Sequence, residues 1–262
     1  MQKSANLSNV IKPSVAKTLL ITSLLSLSLV LNSCATGSVT SATPDAKFKE
    51  QVLQVIKENP QVVIDSVQAY QKQQEEQANN ARQEILTKLR NNPASIIENS
   101  PQMGAKDGKI VLVEFSDFQC PFCAKAQPTI KEFMAKHGDQ VTLVFKHLPL
   151  VRIHPEAIPA SAASWAAQQQ GKFWEYHNAL FDQQEKLGEE LYVKIAQDLA
   201  LNMEKFNSDR KSPEAIKAIE SDVKLAQTIG IQGTPFFVMN GEPISGAVEL
   251  SEFEATLEKV KK

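Results

Sequence analysis

An α/β domain with a helical insertion, preceded by a helical arm, is the architecture this sequence predicts. Two short apolar runs, residues 110–116 and 141–147, flank a longer stretch with helical spacing. Two further short runs, 235–240 and 243–248, are split by Asn240-Gly241, a dipeptide suited to a tight hairpin. Ahead of these, residues 45–90 repeat apolar positions at helical intervals while staying polar over most of their surface.

The chain opens on a basic, then apolar, segment. Residues 1–34 contain Lys3, Lys12 and Lys17 and no acid, and 19–31 is almost entirely Leu, Ile, Val, Ser and Thr. That run is shorter than the roughly 20 residues needed to cross a membrane core, and its flanks are those of a secretory signal. Leu31-Asn32-Ser33-Cys34 resembles a bacterial lipobox, which would make Cys34 the lipidated first residue of the mature chain. Ordinary cleavage after Ala35 and an uncleaved anchor are the alternatives. In each case the protein is expected outside the cytoplasm, in the periplasm or at the cell surface, and lipid-tethered if Cys34 is modified. Removing 1–34 takes three of 28 basic residues and none of 30 acidic ones, leaving a net charge of about −5. That balance disfavours a nucleic-acid partner, which needs a basic patch.

Residues 35–44 read as a flexible tether, small and polar. The arm, 45–100, begins with Phe48, Val52, Val55 and Ile56 on one helical face. It breaks at Asn59-Pro60 and resumes with Val62, Val63, Val67 and Tyr70. A polar stretch, Gln71 to Gln77, separates these from Ile85, Leu86 and Leu89. Apolar stripes without a core of their own call for a partner, so the arm is an expected homo-oligomerisation segment over 45–90; packing onto its own domain is the competing reading. Asn91 to Gly108, with two prolines and two glycines, reads as a linker. The main domain, 108–262, alternates strand 110–116, helix 120–137 and strand 141–147, a parallel βαβ unit with a right-handed crossover. Helices then fill an insertion at about 155–228, and the hairpin and a helix at 250–261 close the chain.

Cys120-Pro121-Phe122-Cys123 stands where the first strand gives way to the helix. The thiolate is the nucleophile of sulfur chemistry, and the unpaired N–H groups and positive dipole end of a helix stabilise one there. Pro121 fits a first helical turn, where a missing N–H costs nothing. Cys123, one turn on, is placed to resolve a mixed disulfide. This spacing also occurs in zinc sites, but those take three or four ligands. Cys34 is the only other cysteine, and the four histidines show no ligand-pair spacing. No metal is expected, and the site needs no cofactor beyond its own sulfurs.

The sequence Glu114-Phe-Ser-Asp-Phe-Gln-Cys-Pro-Phe-Cys123, the long helical insertion and Gly233-Thr-Pro-Phe-Phe237 together resemble the thioredoxin superfamily, and more narrowly its DsbA-like thiol–disulfide oxidoreductases. The arm, with its Glu-Asn-Pro break and Gln-rich continuation, is similar to that of ScsC-like members. The resemblance implies a thioredoxin fold with a helical insertion over 108–262. It implies Cys120 as attacking thiol, Cys123 as resolving thiol, and Pro121 and Phe122 as tuners of the pair's reduction potential. Thr234-Pro235 would face the cysteines with Pro235 in cis, leaving the Thr234 backbone to pair with an extended substrate. Glu114, an acid inside an apolar strand, would sit beneath the disulfide and relay the proton of Cys123; a salt-bridged or edge-facing glutamate is the plainer alternative. His147 and His154 read as capping or packing residues, with a place lining the active-site face as the alternative. Trp165, Phe173, Trp174, Tyr176 and Phe181 read as core of the insertion.

The expected function is protein thiol–disulfide exchange on cysteine-containing exported proteins, with a membrane or soluble redox partner to recycle the dithiol. Oxidase and isomerase or reductase directions remain open at this point. A lipoprotein whose cysteines bind metal, such as a copper-handling or chaperone protein, is the alternative from another class.

Overall fold

The computed structural model describes residues 45–262; the signal, tether and Cys34 readings lie outside the described residues. Two units are distinguished, one ending at Glu58 and one running from Asn59 to Lys262. In the first, α1 (Ala46–Glu58) buries none of its residues, and Phe48, Val52, Leu53, Val55 and Ile56 are exposed.

The second unit opens with α2 (Pro60–Asn91), started by Pro60 in its first turn. Its first half leaves Val62, Val63, Ile64, Val67 and Tyr70 exposed, whereas Leu86 and Leu89 are buried. A single 3-10 turn at Pro93–Ile96 follows. A five-stranded sheet then forms the centre, in the order β1-β3-β2-β4-β5. Its strands are β1 (Gln102–Gly104), β2 (Ile110–Ser116), β3 (Val141–His147), β4 (Phe236–Met239) and β5 (Glu242–Ser245). Only β2 and β3 are parallel, joined by α3 (Pro121–His137); the remaining pairs are antiparallel. The insertion consists of α4 (Ala157–Gln168), α5 (Phe173–Asp182), α6 (Glu189–Asp198), α7 (Met203–Asp209) and α8 (Pro213–Ile229), and α9 (Leu250–Val260) ends the fold.

Alternation along β2 divides the core. Val111, Val113 and Phe115 pack with Leu86, Leu89, Ile96, Ala226 and Ile229 on one face. Leu112 packs with Ala126, Ile130, Phe133, Phe253 and Leu257 on the other, so Glu114 points to the α3 and α9 side. A third cluster joins Phe118, Cys120 and Cys123 to the insertion through Phe173, Tyr176 and Phe181. The aromatic residues of the insertion are therefore core, apart from half-exposed Trp165 and Trp174.

The structure departs from the sequence reading in two stretches. Residues 91–108, read as a linker, contribute the edge strand β1 and the buried Ile96; the Pro101 carbonyl accepts the Phe145 N–H at 3.0 Å and leads the chain into pairing with β3. The last turns of α2, assigned to the arm, belong to the domain. Burying Leu86 and Leu89 contributes roughly 1.5–3 kcal/mol apiece. Gly241 lets this helix approach the β4–β5 turn. Its φ is +83°, and a Cβ there would lie 2.6 Å from the Leu86 carbonyl oxygen.

Candidate active site

β2 delivers the chain to Ser116, and a tight turn, Asp117-Phe118-Gln119, leads into α3. The Cys120 N–H donates to the Asp117 carbonyl at 3.0 Å, and Cys120 itself caps the helix in extended backbone conformation. Pro121 occupies the first helical position, as its fixed φ favours. The Cys123 and Ala124 N–H groups donate to the Cys120 carbonyl at 3.0 and 3.2 Å. Both cysteines are free thiols; Cys120 retains 3 % of its surface and Cys123 none. Beside them Phe122 is 62 % exposed, a large apolar ring at the mouth of the site.

The Thr234–Pro235 bond is cis, and the turn before β4 faces the cysteines: Cys120 Sγ lies 3.4 Å from the Thr234 carbonyl, to which it donates when protonated. The two halves of the site are thus 114 residues apart in sequence. Gln184, in the 3-10 turn after α5, donates to the carbonyls of Phe118 at 2.7 Å and Cys120 at 2.9 Å, pinning the redox turn to the insertion.

The two thiols are driven apart in acidity. The Cys123 thiol beside it holds the Cys120 pKa down to about 5; Thr234 and the N–H groups of Cys123 and Phe122 assist, against the opposing effect of burial. Burial pushes the Cys123 thiol up, and the neighbouring Cys120 sulfur raises it further. One sulfur is therefore a thiolate at neutral pH and its partner keeps its proton, the division of labour that attack followed by resolution requires.

Glu114 is fully buried beneath α3. Its Oε1 accepts from Gln127 Nε2 at 3.0 Å, while Oε2 has no hydrogen-bond partner. Burial pushes its pKa up to about 7, only partly offset by Ser116 and Gln127. The Ser116 hydroxyl, which makes no well-formed hydrogen bond of its own, lies near both Glu114 and Cys123 and favours the charged form of each. A carboxyl that titrates near neutrality thus stands one serine away from the thiol that must gain and lose a proton.

Of the sequence-derived residues, Cys120, Cys123, Pro121, Phe122, Thr234 and Pro235 come together, with Glu114 below them. His147 and His177 are buried among Phe118, Phe145 and Phe173, and burial takes both to about 3, leaving them neutral. Sequence reasoning missed Gln127 and Gln184, ordinary helix glutamines by pattern. It quoted Asp117 within the motif without a role, and it gave His154 a packing role; the two are 2.8 Å apart.

A thioredoxin family model matches residues 97–259. The chain is similar to a thioredoxin-like oxidoreductase from Silicibacter pomeroyi, with 30 % identity, a TM-score of 0.58, and coverage of 63 % of this chain and 93 % of that one. Similarity to the thiol-disulfide exchange protein alpha-DsbA2 from Wolbachia pipientis is at the level of the fold, with 18 % identity, a TM-score of 0.60, and coverage of 70 % and 97 %. Proteus mirabilis ScsC, likewise a fold match, has 23 % identity and a TM-score of 0.57, covering 82 % of this chain and 95 % of that one. Among curated proteins, a Na(+)/H(+) antiporter NhaA 1 from Mycolicibacterium vanbaalenii is 38 % identical over 140 residues, 53 % of this chain. The chain spans only 23 % of that protein's length. With the strand–cysteine–helix junction, the facing cis-proline turn and the helical insertion in place, the chain belongs to the thioredoxin family.

Proposed function

We propose that this protein exchanges disulfides with exported cysteine-containing proteins through Cys120 and Cys123, outside the cytoplasm, and is recycled by a separate redox partner. The observation that carries this reading is geometric: Cys120, at the start of α3, faces the Thr234 carbonyl across the cis-proline turn at 3.4 Å, with Cys123 buried one turn on. A substrate thiolate attacks Cys120 Sγ of the oxidised site, the Cys120–Cys123 bond breaks, and Cys123 leaves with the electron pair and takes up a proton. A second substrate thiolate then attacks the substrate sulfur of the mixed disulfide. Cys120 leaves as a thiolate, so the substrate gains a disulfide and the protein keeps two electrons as the dithiol. A low-pKa sulfur is the better leaving group, and a stabilised thiolate makes the reduced form favourable. Both support the disulfide-donor direction over isomerisation or reduction. Glu114, through Ser116, is the proton source for Cys123. Pro121 and Phe122 tune the pair, and Thr234 contacts the substrate backbone.

Equilibration of the Cys120–Cys123 couple against glutathione tests this reading. A donor is expected near about −120 mV; a potential at or below roughly −200 mV reverses the direction, and the lack of any reversible couple removes the activity. Cys123→Ala, with its resolving thiol gone, should accumulate a mixed disulfide at Cys120 when offered a disulfide-bonded cysteine peptide, the second peptide sulfur leaving as a thiolate.

The exposed apolar stripes of α1 and the first half of α2 favour a second proposal, association of copies through residues 45–90. Ten large apolar side chains facing water over two short segments are more than a solitary surface helix usually carries.

A further inference from the structure

Asp117 is fully buried, and the exchange steps use none of its side chain. Its backbone touches both cysteines: its carbonyl takes the Cys120 N–H at 3.0 Å, and its own N–H points to Cys123 Sγ at 3.5 Å. Its carboxyl group faces two ways. Oδ1 closes the redox turn by accepting the Gln119 N–H at 2.8 Å. Oδ2 leaves the turn, accepting the Leu150 N–H at 2.8 Å with His154 Nδ1 also at 2.8 Å. Gln119 makes a parallel bridge, its Oε1 accepting the Glu156 N–H at 2.7 Å.

The segment held in this way, Leu148–Ile153, is one wall of a groove of about 620 Å³. Ile231 and Gln232 line the same groove and run directly into Gly233-Thr234, whose carbonyl meets Cys120 Sγ. Val151 and Ile153 are exposed on the first wall. Between β3 and α4 this wall has few backbone anchors. Leu148 N–H donates to the Ser116 carbonyl, and the Ile153 and His154 N–H groups close a local turn on Leu150. Of these only the first ties the wall to the redox turn, and Asp117 supplies the second tie.

We propose that Asp117 is a positioning residue that fixes this groove wall relative to the attacking sulfur, so that an extended peptide carrying an apolar segment beside its cysteine is held when its sulfur reaches Cys120. The proposal rests on the thiol–disulfide reading above. It assigns His154 as the residue that orients the outward oxygen of Asp117, and it makes the wall's register a property of the redox turn itself. A substrate with no peptide beyond its sulfur gains nothing from the wall, whereas an extended one gains its grip.

The test compares two probes on the full chain. One is oxidised glutathione; the other is an octapeptide with a central cysteine, apolar neighbours and glutathione in mixed disulfide on that cysteine. Asp117→Asn should raise KM for the peptide about tenfold with kcat falling less than about twofold, because hydrogen bonds to a charged group are lost from the wall and not from the reacting atoms. His154→Gln should move KM in the same direction by a smaller factor. The Leu150 amide should exchange faster with deuterium in Asp117→Asn while the core-strand amides of Leu112 and Val113 stay protected, which separates loss of this tie from global unfolding. Equal losses toward both probes, through kcat, would show that Asp117 acts on the sulfurs and overturn the proposal. An unchanged peptide KM with a protected Leu150 amide overturns it as well. If wild-type protein is inert to both probes, the exchange activity itself is refuted and the proposal falls with it.

Discussion

At the scale of single residues, the site is built from charges placed where water cannot reach them. Glu114 shows the cost. Its carboxyl has one partner, Gln127, and one oxygen with none, and burial raises its pKa from 4.5 to about 7. The unfolded chain releases this proton at lower pH than the folded protein does. Between about pH 4.5 and 7 the folded state therefore holds more protons, and stability falls as pH rises. The loss is on the order of 3 kcal/mol, complete above the folded pKa. Glu114→Gln should remove that contribution alone: in oxidised protein, where Cys120 has no thiol to titrate and the buried His147 and His177 act on both proteins alike, the variant's denaturant midpoint should gain on that of wild type between pH 5 and pH 8. The same variant should slow formation of the mixed disulfide from the oxidised site, the step in which Glu114 supplies the Cys123 proton. A difference between variant and wild type that is the same at both pH values rules out the raised pKa.

Among the elements, the arm divides differently from its sequence pattern. Ile85, Leu86 and Leu89 look much like Val62, Val63 and Val67 when read as helical spacing, yet only the former reach the sheet, where Leu86 and Leu89 join Val111, Val113 and Val238. Periodicity tells which face is apolar and not what covers it. The same limit hid β1: three residues, Gln102-Met103-Gly104, are too few and too polar to signal a strand, and an edge position on β3 made them one. By contrast β2, α3 and the hairpin were legible, because continuous apolar runs, a proline at the helix start and Asn-Gly are local signals. Asn240 confirms the mechanism at its turn, with φ of 46° and its side chain bonded to the Val111 N–H and the Lys109 carbonyl at 2.9 Å each. For the exposed half of the arm, association predicts a concentration-dependent mass in sedimentation equilibrium. Val52→Glu with Val63→Glu should return the protein to the monomer mass without altering its thermal unfolding, since neither residue is buried. A wild type that is monomeric at all concentrations ends that proposal.

For the molecule as a whole, the cysteine pair was the most legible feature and its energetic consequence the least. The motif and its junction could be read from residues 110–123, but the acidity split depends on Thr234 and on the burial of Cys123 against the insertion. Long-range packing therefore decides the chemistry of a local motif. It should also reverse the usual relation between a disulfide and stability. A cross-link ordinarily stabilises by restricting the unfolded chain. Here the dithiol form gains from a thiolate whose pKa is lowered from 9.0 to about 5 in the folded state. That contribution is fully present above pH 9, shrinks as pH falls, and is gone below about pH 5. Reduced protein should consequently unfold at higher urea concentration than oxidised protein at pH 8, and the difference should narrow or invert toward pH 4. Paired urea titrations of the two redox forms at the two pH values measure it directly. Cys120→Ser, which has no thiolate to stabilise, should lose the pH-dependent part of the advantage. If the oxidised form is the more stable at pH 8, the fold does not favour the thiolate, and disulfide donation loses its thermodynamic driving force.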